Sequence, residues 1–283
     1  MSPRSVVPPV WLGPGAITDP RALARFVDLV GVPLPVGPVT AGSRRTRTGG
    51  TVVHGAGVGG LEHEDAHGVS VDSAVELLSW ASARGLSACL AVRGRSPGDL
   101  AAVVGQVCRS VEGDAVVGVE VDLRGTEEQA VIKAMARVRE AAPRGVLLLA
   151  RLGALDPALV PCARSAVAGG AHAVVVAGQV PLGAGRWWSG PSTAAVTRSA
   201  LRLLRQAAAE QRWPGAPLVA AGGIHDPTTA RQAVHDGATA VQLGTALWAD
   251  PTLLDPVRRA VLGTRERPPS PRPPTSPPDD PWR

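Results

Sequence analysis

The chain has 283 residues, 45% of them hydrophobic, and carries 29 Lys and Arg against 24 Asp and Glu for a net charge of +5. Only 3% are aromatic, seven Trp and one Phe with no Tyr, so the core has to be built from Val, Leu and Ala. The mixed composition excludes coiled-coil, collagen-like and wholly disordered classes, and a domain of this length buries a core without disulfide or metal. Lys133 is the only lysine and no basic stripe is interleaved with aromatics, so nucleic acid is not the expected partner. A phosphate-bearing small molecule is the more economical one. Cys89, Cys108 and Cys162 are widely spaced with no Cys-x-x-Cys. They read as free thiols in a reducing, cytoplasmic compartment. The first twenty residues hold Pro3, Pro8, Pro9, Pro14 and Pro20 and do not resemble a signal peptide. With no run of about 18 apolar residues, no membrane span is expected.

In chain order the sequence alternates short apolar runs with helical periodicity. A strand is expected near Val6–Ile17, then a helix over Pro20–Val30 and a strand over Pro33–Thr40. Ala41–Ser70 carries no strand or helix signal and reads as a large loop with Gly-Gly pairs. Then follow helix Val71–Arg84, strand Leu86–Val92, helix Pro97–Val111, strand Val116–Leu123, helix Thr126–Ala142, strand Gly145–Leu152 and helix Pro157–Ala168. The series ends with strand Ala171–Ala177, helix Ser192–Gln211, strand Pro217–Ala221, helix Pro227–Asp236, strand Ala238–Leu243 and helix Pro251–Leu262. Asp19-Pro20, Ser96-Pro97, Asp156-Pro157, Asp226-Pro227 and Asp250-Pro251 each set a capping side chain before a proline suited to a first helical turn. The strands are near-continuous apolar runs, as in a parallel sheet covered on both faces. Eight strands alternating with eight helices predict an α/β fold, a (β/α)8 TIM barrel. A doubly wound open sheet is the runner-up. Residues 1–264 form the barrel domain in this reading. Residues 265–283, with eight prolines, form a disordered or polyproline tail.

The strongest chemical signal is Pro217-Leu-Val-Ala-Ala-Gly-Gly-Ile-His-Asp-Pro, followed by Gly237-Ala-Thr-Ala-Val-Gln-Leu-Gly-Thr. Each is a strand ending in a glycine turn. Gly222-Gly223 and Gly244-Thr245 then emerge together beyond the seventh and eighth strands, where barrels bind phosphate on backbone N–H groups. A Cβ at these glycines is expected to push the anion away.

These residues resemble the dihydroorotate dehydrogenase superfamily of FMN-binding barrels. Gly185-Arg-Trp-Trp-Ser-Gly-Pro-Ser-Thr looks like that family's Gly-Gly-x-Ser-Gly-Pro segment, which implies that Ser189 and Gly190 approach the FMN phosphate. Gly60-Leu-Glu-His is similar to its Gly-Leu-x-Asn turn, Val119-Glu-Val-Asp-Leu to its Glu-Leu-Asn strand and Val146-Leu-Leu-Leu-Ala-Arg-Leu to its strand with a lysine. The resemblance spans about residues 6–262. It implies an FMN-dependent oxidoreductase acting on CH–CH donors, related to pyrimidine biosynthesis. Arg151 then stands for the family's lysine beside the flavin and supplies its positive charge.

The departures fall at the substrate. The family's Cys or Ser base falls on Gly125, which has no side chain to take a proton. Its substrate-holding asparagines fall on Asp122, Glu127, Gly178 and His63. A carboxylate there repels a carboxylate-bearing pyrimidine. Arg151, Asp122 and His63 are the candidate catalytic residues, with His63 a candidate acid or base. Ser189, Gly190, Gly222, Gly223, Gly244, Thr245 and Arg151 are the candidate cofactor-binding residues. His63 and His67 lie four apart among Glu62, Glu64 and Asp65, but flanking glycines make this a loop, and no metal is expected. His225 and His235 read as surface helix residues. Of Trp187 and Trp188, one packs under its loop and the other covers the site.

The favoured reading is an FMN-dependent oxidoreductase with a diverged substrate site. The alternative is a catalytically idle barrel that keeps FMN or phosphate as a structural or partner-binding unit. A flavin-free isomerase or aldolase acting on a sugar phosphate is a third reading, disfavoured by Ser189-Gly190. The expected partners are a small-molecule substrate and a second copy of the chain, with no nucleic acid and no membrane.

Overall fold

The computed structural model describes residues 7–14, 19–41, 53–55, 59–64, 68–110, 115–183 and 185–265. The elements are β1 (Val10–Leu12), α1 (Pro20–Leu23), β2 (Leu34–Thr40), β3 (Val53–Gly55), β4 (Gly60–Glu64), α2 (Val71–Ser82), β5 (Ala88–Arg93), α3 (Pro97–Ser110), β6 (Val116–Asp122) and α4 (Glu128–Ala141). They continue with β7 (Leu147–Gly153), α5 (Leu159–Ala168), β8 (Ala173–Ala177), β9 (Val180–Gly183), β10 (Arg186–Ser189), α6 (Ala194–Ala209), β11 (Leu218–Ala221), α7 (Pro227–His235), β12 (Ala240–Leu243), α8 (Ala246–Ala249) and α9 (Leu254–Arg265).

Eight strands form one parallel sheet in the order β1-β12-β11-β8-β7-β6-β5-β2. The first strand pairs with the last, Val10 opposite Val241 and Leu12 opposite Leu243, which curls the sheet into a nearly closed barrel. The expected (β/α)8 architecture is therefore the observed one. The expected tail beyond Arg265 lies outside the described residues, and Arg265 itself is the last residue of α9.

The apolar runs divide by parity into two layers, because successive side chains of a strand point to opposite faces. One set, including Leu90, Val121, Leu148, Val174 and Val241, packs outward against the helices. The other, including Cys89, Leu149, Val175, Val219 and Ala240, fills the barrel around Trp11. Trp11 is 0% exposed and donates its Nε1–H to the Pro8 carbonyl at 3.0 Å. Gly118 leaves room for it, since a Cβ there would sit 3.2 Å from the indole. Burying an indole contributes roughly 4–6 kcal/mol by area.

Three of the capping signals act as expected, whereas Asp156-Pro157 does not start its helix: α5 begins at Leu159, with Ala158 at its N-cap. Asp226 closes a capping box with Thr229 at the start of α7, Asp19 accepts from the Arg21 N–H, and Ser96 accepts from the Asp99 N–H. Two further expectations are corrected. The helix expected over Pro20–Val30 ends at Leu23; Phe26 and Val30 beyond it are exposed and offer the helix no buried face. The segment read as a loop, Ala41–Ser70, contains β3 and β4, and the loop after the sixth barrel strand contains β9 and β10. These four form an antiparallel sheet in the order β3-β4-β10-β9.

Candidate active site at the C-terminal mouth

Strand parity decides what stands in the mouth. On β6 the inward series Gly118, Glu120, Asp122 runs from the apolar interior to the strand end. Leu149 and Arg151 do so on β7, Cys89 and Arg93 on β5, and Ala240 and Gln242 on β12. A polar layer thus caps the apolar one. All of Arg93, Glu120, Asp122, Arg151 and Gln242 line one cleft, whose space is about 990 Å³ with its open mouth included.

Two charge clusters form the floor. Arg151 donates through Nη1 to Glu120 Oε1 and to Gln242 Oε1, both at 3.0 Å, while Gln242 Nε2 donates to the other Glu120 oxygen. Glu120, Gln242 and Arg151 are all buried. Buried charges persist only when paired and hydrogen-bonded, and every polar atom of this carboxylate has a partner. The second cluster centres on Asp122, which accepts from Arg93 Nη2 at 2.6 Å and from Arg124 Nη2 at 2.7 Å. Burial pushes the Asp122 carboxyl up. Hydrogen bonding to Arg124 and the charges of Arg124, Arg93 and Arg151 outweigh it and hold the group well below the usual carboxylate range. Gln179 joins the clusters, its Oε1 accepting from Arg124 Nη1 at 2.9 Å and from Arg151 Nη2 at 3.2 Å.

One wall of the cleft is made of turns. Gly222, Gly223, Gly244 and Thr245 line it together with Ser189, Gly190 and His225. Among the described residues no carboxylate lines this wall; Glu120 and Asp122 are on the floor. The glycines have a structural reason besides the one expected for an anion. Gly223 has φ +72°, and a Cβ there would overlap the backbone of Ala194 at the start of α6. Gly190 has φ +111°, and its Cβ would meet Gly59 O and Gly60 Cα at 3.0 Å.

The antiparallel sheet joins this wall at Ser189, the last residue of β10. In the β4–β10 ladder Trp187 stands opposite His63 and Ser189 opposite Leu61. His63 and Ser189 are diagonal neighbours on one face, close enough for side chains to meet. His63 Nε2 lies 2.7 Å from Ser189 Oγ, and Gln179 Nε2 donates to the same Oγ at 3.2 Å. On this face Trp187 stacks on the Arg124 guanidinium, 4.3 Å from ring centroid to Cζ. Trp188 faces the other way. It donates to Ser192 Oγ at 2.7 Å, and a Cβ at Gly60 would overlap its ring.

Every residue singled out from the sequence for catalysis or cofactor binding lines this cleft: His63, Asp122, Arg151, Ser189, Gly190, Gly222, Gly223, Gly244 and Thr245. Some details differ from expectation. His63 is on a strand, not a loop, and His67 lies outside the described residues. Among the described residues no group of three His, Cys, Asp or Glu is placed to hold a metal ion. Asp122 is neutralised by Arg93 and Arg124, so its charge does not stand alone against an anionic ligand. His225 is not a helix surface residue: it precedes α7, lines the cleft, and its Nδ1 lies 2.8 Å from the Gly223 carbonyl. Sequence reasoning missed Glu120, Gln242, Gln179, Arg93 and Arg124. The available signal was a charged or amide residue of inward parity at the end of an apolar strand.

No family model and no curated protein matches the chain. Among solved structures, the crystal structure of DHODH in complex with ferulenol from Eimeria tenella has TM-score 0.68 at 16% identity, over 90% of this chain and 80% of that chain. At this identity the likeness is one of fold. The class that the geometry defines is a (β/α)8 barrel with the architecture of that DHODH and a polar cleft at the C-terminal face. No helix among the described residues is long and apolar enough to cross a membrane.

Proposed function

We infer that this chain is an FMN-binding barrel oxidoreductase acting on a small molecule in the cleft. One observation carries the reading. Residues drawn from six separate segments, for their likeness to a flavin barrel, line a single cleft, with glycine turns on one wall and Arg151 in the floor. The residues present fit the group. The wall of Gly222, Gly223, Gly244 and Thr245 offers backbone and hydroxyl to a phosphate with no carboxylate beside it, and Arg151 and Arg124 supply cations to a polar ring edge. The cofactor would supply hydride acceptance or donation. The chain's own residues do the remainder. Arg151, fixed on Glu120 and Gln242, has a single orientation, so its charge is placed before any ligand arrives. Trp187, stacked on Arg124, holds that guanidinium in place.

Purification with flavin absorbance, or saturable quenching of FMN fluorescence on titration, tests the reading. A colourless protein that does not quench FMN overturns it. The idle-barrel alternative has its own support: the charged groups of the floor satisfy one another, and Gly125 has no side chain. Flavin that binds and is reduced by no substrate of a CH–CH donor panel favours that alternative. The partner of this reading is a small-molecule substrate. A second copy of the chain is tested by light scattering.

A further inference from the structure

The sheet over the mouth joins a hydroxyl and an imidazole from distant segments. Gln179 is bonded to the same hydroxyl. Its Oε1 accepts from Arg124 and Arg151, groups that only donate, so its NH₂ faces Ser189. Ser189 Oγ accepts from that NH₂ and has its own proton to give, and His63 Nε2 stands 2.7 Å away. With Ser189 Oγ donating to Nε2, the ring proton stands on Nδ1, and this is the tautomer that a relay from Ser189 to His63 requires. Ser189 is only 4% exposed, yet both residues line the cleft.

We propose that Ser189 and His63 form a proton-relay pair that takes a proton from an acidic C–H beside a carbonyl of the substrate. The proposal rests on this cleft being the substrate site. The substrate C–H bond breaks as an O–H bond forms at Ser189, and the former Ser189 O–H proton passes to His63 Nε2. The C–H electron pair stays on the substrate as an enolate, and the positive charge ends on the imidazolium. The cleft suits that charge distribution. Arg93, Arg124 and Arg151 against Glu120 and Asp122 leave an excess of positive charge to face the enolate oxygen. The carboxylates do not compete for the proton. Asp122 is held by two guanidinium groups, and both Glu120 oxygens are engaged. The pair thus supplies a proton acceptor that Gly125 cannot.

The test uses the full chain with cyclohexanone in D₂O, a redox-inert carbon acid whose exchange is followed by proton NMR. Flavin content is read separately by absorbance. Wild type is expected to speed α-C–H exchange over buffer. His63→Gln and Ser189→Ala each lose this by roughly a hundred- to ten-thousand-fold, and Ser189→Thr regains part of it. Nitrogen-15 NMR of labelled histidine is expected to show His63 with Nδ1 protonated and Nε2 bare in wild type, and a changed tautomer balance in Ser189→Ala. Wild-type exchange no faster than buffer, exchange unchanged in either variant, or a protonated His63 Nε2 with bare Nδ1 each overturns the relay. Neither readout needs flavin, so a colourless protein that still exchanges overturns the FMN reading and leaves the relay standing.

Discussion

Gly223 is a poor place to probe the phosphate wall, although its position in the glycine turn made it the obvious one. Its φ of +72° and the overlap of any Cβ with Ala194 mean that Gly223→Asp disrupts packing between the turn and α6 whether or not an anion binds. Thr245 is the sharper probe. It has φ −57° and starts α8 without a side-chain cap, a setting that Asp accepts. Thr245→Asp is expected to weaken FMN binding at least about fivefold, because like charges near contact cost on the order of 1–4 kcal/mol. Its melting temperature should stay within a few degrees of wild type; isothermal titration and a thermal melt check both. On the floor, Glu120→Ala leaves the Arg151 charge buried with only the amides of Gln242 and Gln179 for hydrogen-bond partners among those described above and is expected to destabilise the fold by about 3–5 kcal/mol. The paired change Glu120→Gln with Arg151→Met should cost far less, which urea denaturation of the two variants resolves. Arg151 was legible in the sequence because it ends an apolar run. Glu120 was not. Its partner Gln242 is 122 residues away, and only the register of the closed barrel brings them together.

At the scale of elements, the barrel strands and their helices were legible because each is an apolar run or a periodic segment with its own start signal. The antiparallel sheet was not. Its strands have three to five residues, too few to display an alternation, and β4 pairs with β10 across more than a hundred residues. Two residues of the candidate site hang on that sheet, so His63 and Ser189 could be listed separately but not as a pair. Gly60→Val places a side chain into the Trp188 ring. It is expected to unpair β4 from β10, separate His63 from Ser189, and leave the far-ultraviolet spectrum of the barrel nearly unchanged; a shifted Trp emission would report it. Another link between elements depends on protonation. His172 Nδ1 accepts the Leu148 N–H at 2.9 Å, which only a ring bare at that nitrogen can do. Burial, with the nearby Arg139 charge, lowers its pKa. The unfolded chain then takes this proton more readily than the folded one. Stability is expected to fall as pH drops below the unfolded value of about 6.5 and to level off below the lowered folded value. His172→Gln should flatten that portion of a stability-versus-pH curve.

For the whole molecule, the carboxylates set the acid limit. Burial pushes Asp122 and Asp236 up, but hydrogen bonds and charges from their arginine partners outweigh it in both. Groups held low in the fold contribute stability that is complete above their unfolded value of about 4 and is lost as pH falls through the folded values. Acid unfolding should therefore begin below about pH 4, and salt that weakens these pairs should move its onset upward. On function, the chain is expected not to oxidise dihydroorotate at a useful rate. Gly125 has no base where the family's base falls, and the Ser189–His63 pair stands on the antiparallel sheet instead; loss of a base positioned for that substrate costs about a hundred- to ten-thousand-fold. Anaerobic stopped-flow with FMN-loaded protein checks this, and bleaching within seconds contradicts it.

The ladder between β1 and β12 joins the beginning of the chain to its last barrel strand. During synthesis Trp11 precedes its partner on β12, Gln242, by some 230 residues. Until then the hole at the centre of the sheet has no plug, and the indole that fills it stays in water. Such a closure depends on contacts of the greatest sequence separation, the kind that slows folding. The burial of Trp11 is expected to be the last step of refolding, and a Trp11→Phe variant should lose the slowest phase of fluorescence change. A nascent chain halted before Ala240 has every helix of the barrel up to α7 and no means of closing it.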